Sequence, residues 1–154
     1  MEVIRNTKKG EFGIEGEVFF DLFDKYIDLS VEDDELDYAQ KCAAYLNQIP
    51  ETVVRTLCNA SIRYCNDFLE ATGQKRMIFD EPQEVLNHIY PSVLLVPYPD
   101  GAPDPVIHLE LNCSWEPEHG LEWVVRGDEV QYVGAFNGED PLGSFDQKQP
   151  WNYA

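Results

Sequence analysis

The sequence predicts an α+β domain, with an antiparallel sheet packed on a central helix pair. Apolar residues recur with a period near two over residues 11 to 31, near 3.6 over 34 to 71, and near two again from 92 to 134. The 154 residues, 44% of them hydrophobic, are enough for one core and too few for two. The expected sheet combines an N-terminal strand pair with later strands and a hairpin. One domain is expected over 1–136, followed by an extended tail over 137–154.

In order along the chain, "GIEGEVFF" and "KYIDLSV" read as two strands joined near "DLFD". In the second, Ile27, Leu29 and Val31 share one face, and Tyr26, Asp28 and Ser30 the other, giving a half-buried strand with an acidic outside. From Asp34 to Gln48, Leu36, Ala39, Ala43 and Leu46 recur at three- and four-residue spacing, which predicts a helix capped by Asp33 or Asp34. Pro50 interrupts that pattern and opens a second helix over 50–71. Val53, Leu57, Ala60, Tyr64 and Phe68 form one apolar stripe on it, beside a second formed by Val54, Cys58, Ile62, Cys65 and Leu69. So wide an apolar surface makes this the central packed helix, with Gly73 as its C-terminal stop. A short helical turn is expected in 81–89.

The second half returns to strands. "SVLLVPY" at 92–98 is apolar throughout, and "PDGAPDP" is a turn-rich loop. In "VIHLELNCSW", Ile107, Leu109, Leu111, Cys113 and Trp115 share one parity, and His108, Glu110, Asn112 and Ser114 the other. "LEWVVRGDEVQYVG" predicts a hairpin on a type II′ turn at Gly127-Asp128, with Trp123 opposite Tyr132 and Val125 opposite Val130. Glu122, Val124, Gln131 and Val133 then take the other face. In the tail, Phe145, Trp151 and Tyr153 are available to pin the chain to the body.

Charge restricts the functional classes. Eleven Lys and Arg stand against 29 Asp and Glu, a net charge of −18. Such a surface repels phosphate backbones and anionic lipid, which argues against nucleic acid and membrane as partners and favours a basic protein. The acidity is uneven: between Glu11 and Asp37 there are eleven acidic residues and one basic residue, Lys25. The densest run is "VEDDELD", and Glu32, Asp33, Glu35 and Asp37 are the candidate partner-binding residues. Two bland explanations compete, solubility and the attraction of carboxylates to a helix start. Four cysteines without CxxC spacing, no apolar leader and no membrane-length apolar run lead to the expectation of a reduced, cytoplasmic protein.

The stretch "CSWEPEHGLEW" at 113–123 raises the one chemical question. It holds Glu116, Glu118 and His119 beside Trp115, material for a metal site, an acid–base pair or a ligand pocket. Strand parity turns Cys113 inward, and His119 has no HxxxH or CxxC companion. The expected reading is a connecting turn, shaped by Pro117 and Gly120, with no metal, no cofactor and no catalytic residue. Walker, GxGxxG, GxSxG and HExxH motifs are absent.

"CxWEPEHGLEW", followed by a hairpin and "YVG", resembles a bacterial family of small acidic domains of unknown function, similar to the immunity proteins of toxin systems. The order of elements matches from about Glu11 to Phe136, and the motif itself covers Cys113 to Gly134. The resemblance implies no catalytic residues. It implies a protein that blocks a basic partner, a cognate toxin domain in particular, and leaves Trp115, Glu116, Pro117, Glu118, His119, Gly120 and Trp123 as signature residues of unassigned role. The alternatives are a small enzyme or ligand-binding domain using the Trp115–His119 region, and a non-catalytic accessory domain.

Overall fold

The computed structural model describes residues 1–101 and 104–154, so Ala102 and Pro103 of the expected turn-rich loop lie outside the described residues. Seven strands form one sheet in sequence order: β1 (Ile4–Gly10), β2 (Gly13–Phe20), β3 (Lys25–Val31), β4 (Ile89–Val96), β5 (Val106–Cys113), β6 (Leu121–Arg126) and β7 (Glu129–Gly134). Two helices, α1 (Asp37–Leu46) and α2 (Glu51–Ala71), lie between β3 and β4 in the chain. The expected antiparallel sheet is therefore corrected to a mixed one. Every neighbouring pair is antiparallel except β3 and β4, which run parallel. The cause is the connection: a helical crossover between adjacent strands returns the chain to the end where it began.

β1 is an element that the apolar periodicity does not reveal, because "IRNTKKG" contains a single apolar side chain. Its order comes from pairing with β2, and it carries a bulge between Arg5 and Lys8, where Asn6 takes a φ of 55°. α1 begins three residues later than expected. Its N-cap is Leu36, without a side-chain cap, and the Asp33 carboxylate instead accepts the backbone N–H of Asp34. Residues 32–36 are thus an irregular bend and not a first helical turn. α2 ends as the sequence predicts, with Gly73 just beyond the Thr72 C-cap at φ 74°. There Gly73 N–H bonds Glu70 O and Gln74 N–H bonds Leu69 O, which satisfies two terminal carbonyls.

Buried residues of both helices and of the sheet's inner face belong to one core. Val18, Leu29, Leu94, Leu109, Trp123 and Val133 from the sheet join Ala39, Cys42, Leu57 and Cys65 from the helices. All four cysteines are buried free thiols. Burial pushes the Cys113 thiol up to about 12, so it is an inert packing group at neutral pH.

The β6–β7 hairpin corrects one predicted register. Val125 faces Val130 as expected, but Trp123 faces Val133, and Tyr132 faces Val124. A bulge accounts for the shift: Gln131 is an extra residue on β7, so all later side chains exchange faces. Val133 consequently enters the inner core, and Tyr132 is buried on the outer face.

A strap formed by residues 136–143 covers that outer face over β5–β7. Arg126 Nη1 donates to the carbonyls of Pro141 and Gly143 at 3.1 and 2.6 Å, and Phe145 packs near its guanidinium. The chain end then lies along β7. Tyr153 N–H donates to Val133 O at 2.8 Å, and the Asn152 side chain bonds both Val133 N–H and Gln131 O. These bonds occupy an edge that would otherwise be open to other strands. Gly134 permits the approach, since a Cβ there would sit 2.5 Å from Trp151 O. The Tyr153 ring packs tilted against Tyr64 of α2 with centroids 5.5 Å apart, whereas Trp151, also expected to pin the tail, remains half exposed.

Candidate functional site

Three arrangements bear on function, and the "CSWEPEHGLEW" stretch is the first. Its backbone forms the turn between β5 and β6. Glu116 is buried and organises that turn: its carboxylate accepts Glu118 N–H at 3.0 Å and pairs with His119 Nδ1 at 2.8 Å, while its carbonyl accepts Gly120 N–H. Gly120 needs its positive φ of 67°, and a Cβ there would stand 2.7 Å from Leu111 O. Both tryptophans point toward α2. Trp123 Nε1 donates to Ser61 Oγ at 3.0 Å, and Trp115 meets the Tyr64 ring edge-on at 5.7 Å. Tyr64 itself donates to Gly120 O at 2.9 Å. The motif thus fastens the β5–β6 turn to the central helix.

Glu116, Glu118 and His119 nevertheless come together, with one ligand atom from each within 4.8 Å of the others. His119 has no HxxxH or CxxC companion, and its neighbours here are the two glutamates of its own turn. Glu118 and His119 are exposed and Glu116 is buried. The donor set is two carboxylates and one imidazole, which suits a hard or borderline divalent cation with open positions rather than a closed structural zinc. Each Glu116 oxygen already serves the turn.

The pair also has a pH signature. Burial opposes the Glu116 charge, but the hydrogen bond from His119 and two backbone N–H groups outweigh it and hold the carboxyl below its usual range. The same hydrogen bond, with the Glu116 charge, raises His119 above the usual 6.5. A raised histidine stabilises the fold below its unfolded value and loses that contribution as pH climbs through the folded value; a lowered carboxylate loses its contribution as pH falls through its folded value. The stability difference between native protein and His119→Ala should therefore be largest between 4.5 and 6.5, the unperturbed values of the two groups. It should shrink on both sides. Denaturant titrations of both proteins across pH would measure it, and the effect should be small because His119 is exposed.

A second arrangement was not assembled by sequence reasoning. Glu122 of β6 is fully buried on the outer face, and His108 of β5 is 6% exposed beside it. His108 Nε2 lies 2.5 Å from Glu122 Oε2. The same carboxylate accepts Asn137 N–H at 2.9 Å and Glu139 N–H at 2.8 Å. A carboxylate is an acceptor, so three donors converge on it and His108 carries its proton on Nε2. The Phe136 ring lies parallel to the imidazole at 6.4 Å. Burial, and after it the Glu122 charge, push the Glu139 carboxyl up. This cradle ties the strap to the sheet. Strand parity places both His108 and Glu122 outward; what no local pattern reveals is the β5–β6 register and the return of residues 137–139.

The third is the acidic run. Glu32, Asp34, Glu35 and Asp37 are exposed and Asp33 is half-buried. Glu32 accepts Tyr98 N–H at 3.2 Å. Among the described residues, none of Glu32, Asp33, Glu35 and Asp37 has a lysine, arginine or histidine within ion-pair distance. Glu32 shares a hollow of about 340 Å³ with His108, Glu139 and Asp140, so the run meets acidic residues from the far end of the chain. The run and the Trp115–His119 turn do not form one site: the turn joins the opposite ends of β5 and β6 from the hollow.

The fold and these clusters define a small, strongly acidic, mixed-sheet domain with a strapped outer face. The chain belongs to the family described as Domain of unknown function (DUF6985), whose model matches residues 3–141. That span takes in β1 and the strap residues that hold Glu122. No curated protein and no solved structure matches the chain. No helix among the described residues is long and apolar enough to cross a membrane.

Proposed function

We propose that this domain is a non-catalytic binding protein that captures a basic protein surface, and that its particular role is to neutralise a toxin domain in the manner of an immunity protein. The observation that carries the reading is the state of the 32–37 run. Attraction to a helix start accounts for Asp37 alone, because Glu32, Asp33 and Glu35 lie on an irregular bend before α1. These carboxylates have no cationic partner among the described residues, so they repel one another until one arrives. The mechanism is electrostatic steering of a basic partner, followed by steric blockage of its working surface. A catalytic or ligand-binding role for the Trp115–His119 region has less support, since Trp115 and Glu116 are buried as parts of a turn.

The test is the association rate with a basic toxin domain encoded beside this gene, measured against ionic strength. Reversal of Glu32, Asp33, Glu35 and Asp37 to lysine should slow association by about tenfold or more at low salt, within the range known for steered encounters. Folding stability should change by less than about 1 kcal/mol, because exposed charges contribute weakly. Native association should slow as salt rises, because the field is screened. Equal rates and equal salt slopes for native and reversed proteins would remove this face from the interface.

A further inference from the structure

We propose that the basic partner is seated on the open outer face of the sheet, over β2–β5, and that the 32–37 run forms the rim of that seat. This inference rests on the binding role above and specifies its surface. The outer face is divided. Over β6, β7 and the His108 end of β5 it is sealed by the strap, but over β2–β4 no element of the chain covers it; Glu15, Asp28 and Ser30 are exposed there and Glu110 of β5 is half-buried.

Strand register makes this open half unusual. Glu17 stands directly opposite Asp28, Asp28 opposite Val93, Val93 opposite Glu110, and Glu110 opposite Glu122. One row across five strands thus contains four carboxylates and one valine. Like charges set opposite on neighbouring strands destabilise a sheet. Two of the four are compensated within the chain: Arg5 Nε bonds Glu17 at 3.1 Å, and His108 bonds Glu122. Among the described residues, Asp28 and Glu110 have no cation within ion-pair distance. A charged row left uncompensated in its centre, on the uncovered part of a face, is complementary to a cationic segment.

The shape agrees with the charge. Two hollows lie on this face, of about 430 and 340 Å³, and Ser30 lines both. They meet at Ser30 on β3, and together they mark the groove of the proposed seat. Lys8 and Glu15 of the β1–β2 hairpin flank one end, and Glu139 and Asp140 of the strap flank the other. Val93 and Leu95 on its floor are half-buried and offer apolar contact to the stems of long cationic side chains. The occupant that fits is a lysine- or arginine-rich segment of a protein, laid across the strands.

The experiment is titration of the full chain with an octa-lysine peptide at low salt, followed by amide shifts along the backbone. Shifts should concentrate at 15–17, 28–30, 93–95, 108–110 and 138–140. Asp28→Asn with Glu110→Gln should weaken binding about tenfold, whereas Asp33→Asn with Glu35→Gln on the rim should change it less than about threefold. The Asp28/Glu110 variant relieves like-charge opposition, so it should unfold at a temperature no lower than native, and weaker binding cannot then be assigned to unfolding. Saturable binding that maps to 32–37, with affinity lost only in the rim variant, would overturn the groove and leave the binding role standing. Shifts spread evenly over the acidic surface would also overturn it. No saturable binding of the peptide at low salt would remove both.

Discussion

Replacement of Glu122 by alanine should destabilise the domain by about 3–5 kcal/mol, the range found when one partner of a buried charged pair is removed. The side chain is fully buried and receives three donors, from His108, Asn137 and Glu139. Its loss leaves an imidazole N–H and two backbone N–H groups without an acceptor, and each buried orphan costs about 1–3 kcal/mol. The alanine also opens a void at a fully buried position. Glu122→Gln should lose less, because its amide oxygen still accepts, but its NH2 must face at least one of the same donors. The companion variant His108→Leu with Glu122→Met tests the cause. A buried pair replaced by apolar side chains of similar volume is often close to neutral, so this variant should recover part of the loss but not all of it. The amides of Asn137 and Glu139 remain unpaired or must turn to solvent. Equilibrium denaturation of the four proteins decides the matter. If Glu122→Ala costs less than about 1 kcal/mol, the cradle does not hold the strap.

In Glu122→Ala the strap should be the first part to loosen, and hydrogen exchange at Asn137 and Glu139 should report it before global unfolding. This links stability to the proposed groove. Glu139 and Asp140 flank one end of it, and their place depends on Glu122 beneath them.

The elements that hold the core were legible because they obey one period each. The stripes of α2 and the alternation of β3 and β5 follow from apolar residues at 3.6 and two residue intervals, and those residues are buried as the periods require except Ile62 and Phe68, which are half-buried. β1 was not legible, because an edge strand of charged residues has no apolar alternation and owes its order to β2. The parallel pairing of β3 with β4 is a property of the crossover, not of either strand. The exchange of Tyr132 and Val133 follows from one bulged residue, Gln131, which leaves no mark in hydrophobic pattern.

The sites divide in the same way. Outward parity of His108, Glu110 and Glu122 could be read from each strand alone. The row from Glu17 to Glu122 needs the register of five strands, and the cradle needs a chain return of 15 and 17 residues. Clusters made by long-range register carry no local signal. The acidic run is the converse case: local density was legible, but the sequence supplied a helix start beneath it that α1 does not provide.

Replacement of Trp123 by alanine should cost about 3–5 kcal/mol, as for other large aromatic truncations in a core, and should leave partner association unchanged once the protein is folded. Trp123 is fully buried on the inner face, opposite Val133 and Leu109, and its indole N–H is spent on Ser61 of α2. Truncation removes that apolar contact, leaves a cavity against α2, and deprives the Ser61 hydroxyl of its donor. Trp123→Phe should recover most of the packing but lose the hydrogen bond, worth about 1 kcal/mol. Trp115 provides the contrast within the same motif. Its Nε1 is buried without a partner, so Trp115→Phe removes an unsatisfied donor and should cost less than Trp123→Phe. These are the values expected if the motif joins the β5–β6 turn to the central helix. A ligand pocket predicts otherwise: binding would fall in Trp115→Phe with stability unchanged. Thermal denaturation and association rates measured on the same four proteins, native and three variants, separate the two. A fold that tolerates Trp123→Ala with a loss below about 1 kcal/mol would show that the motif is not what anchors the sheet to α2.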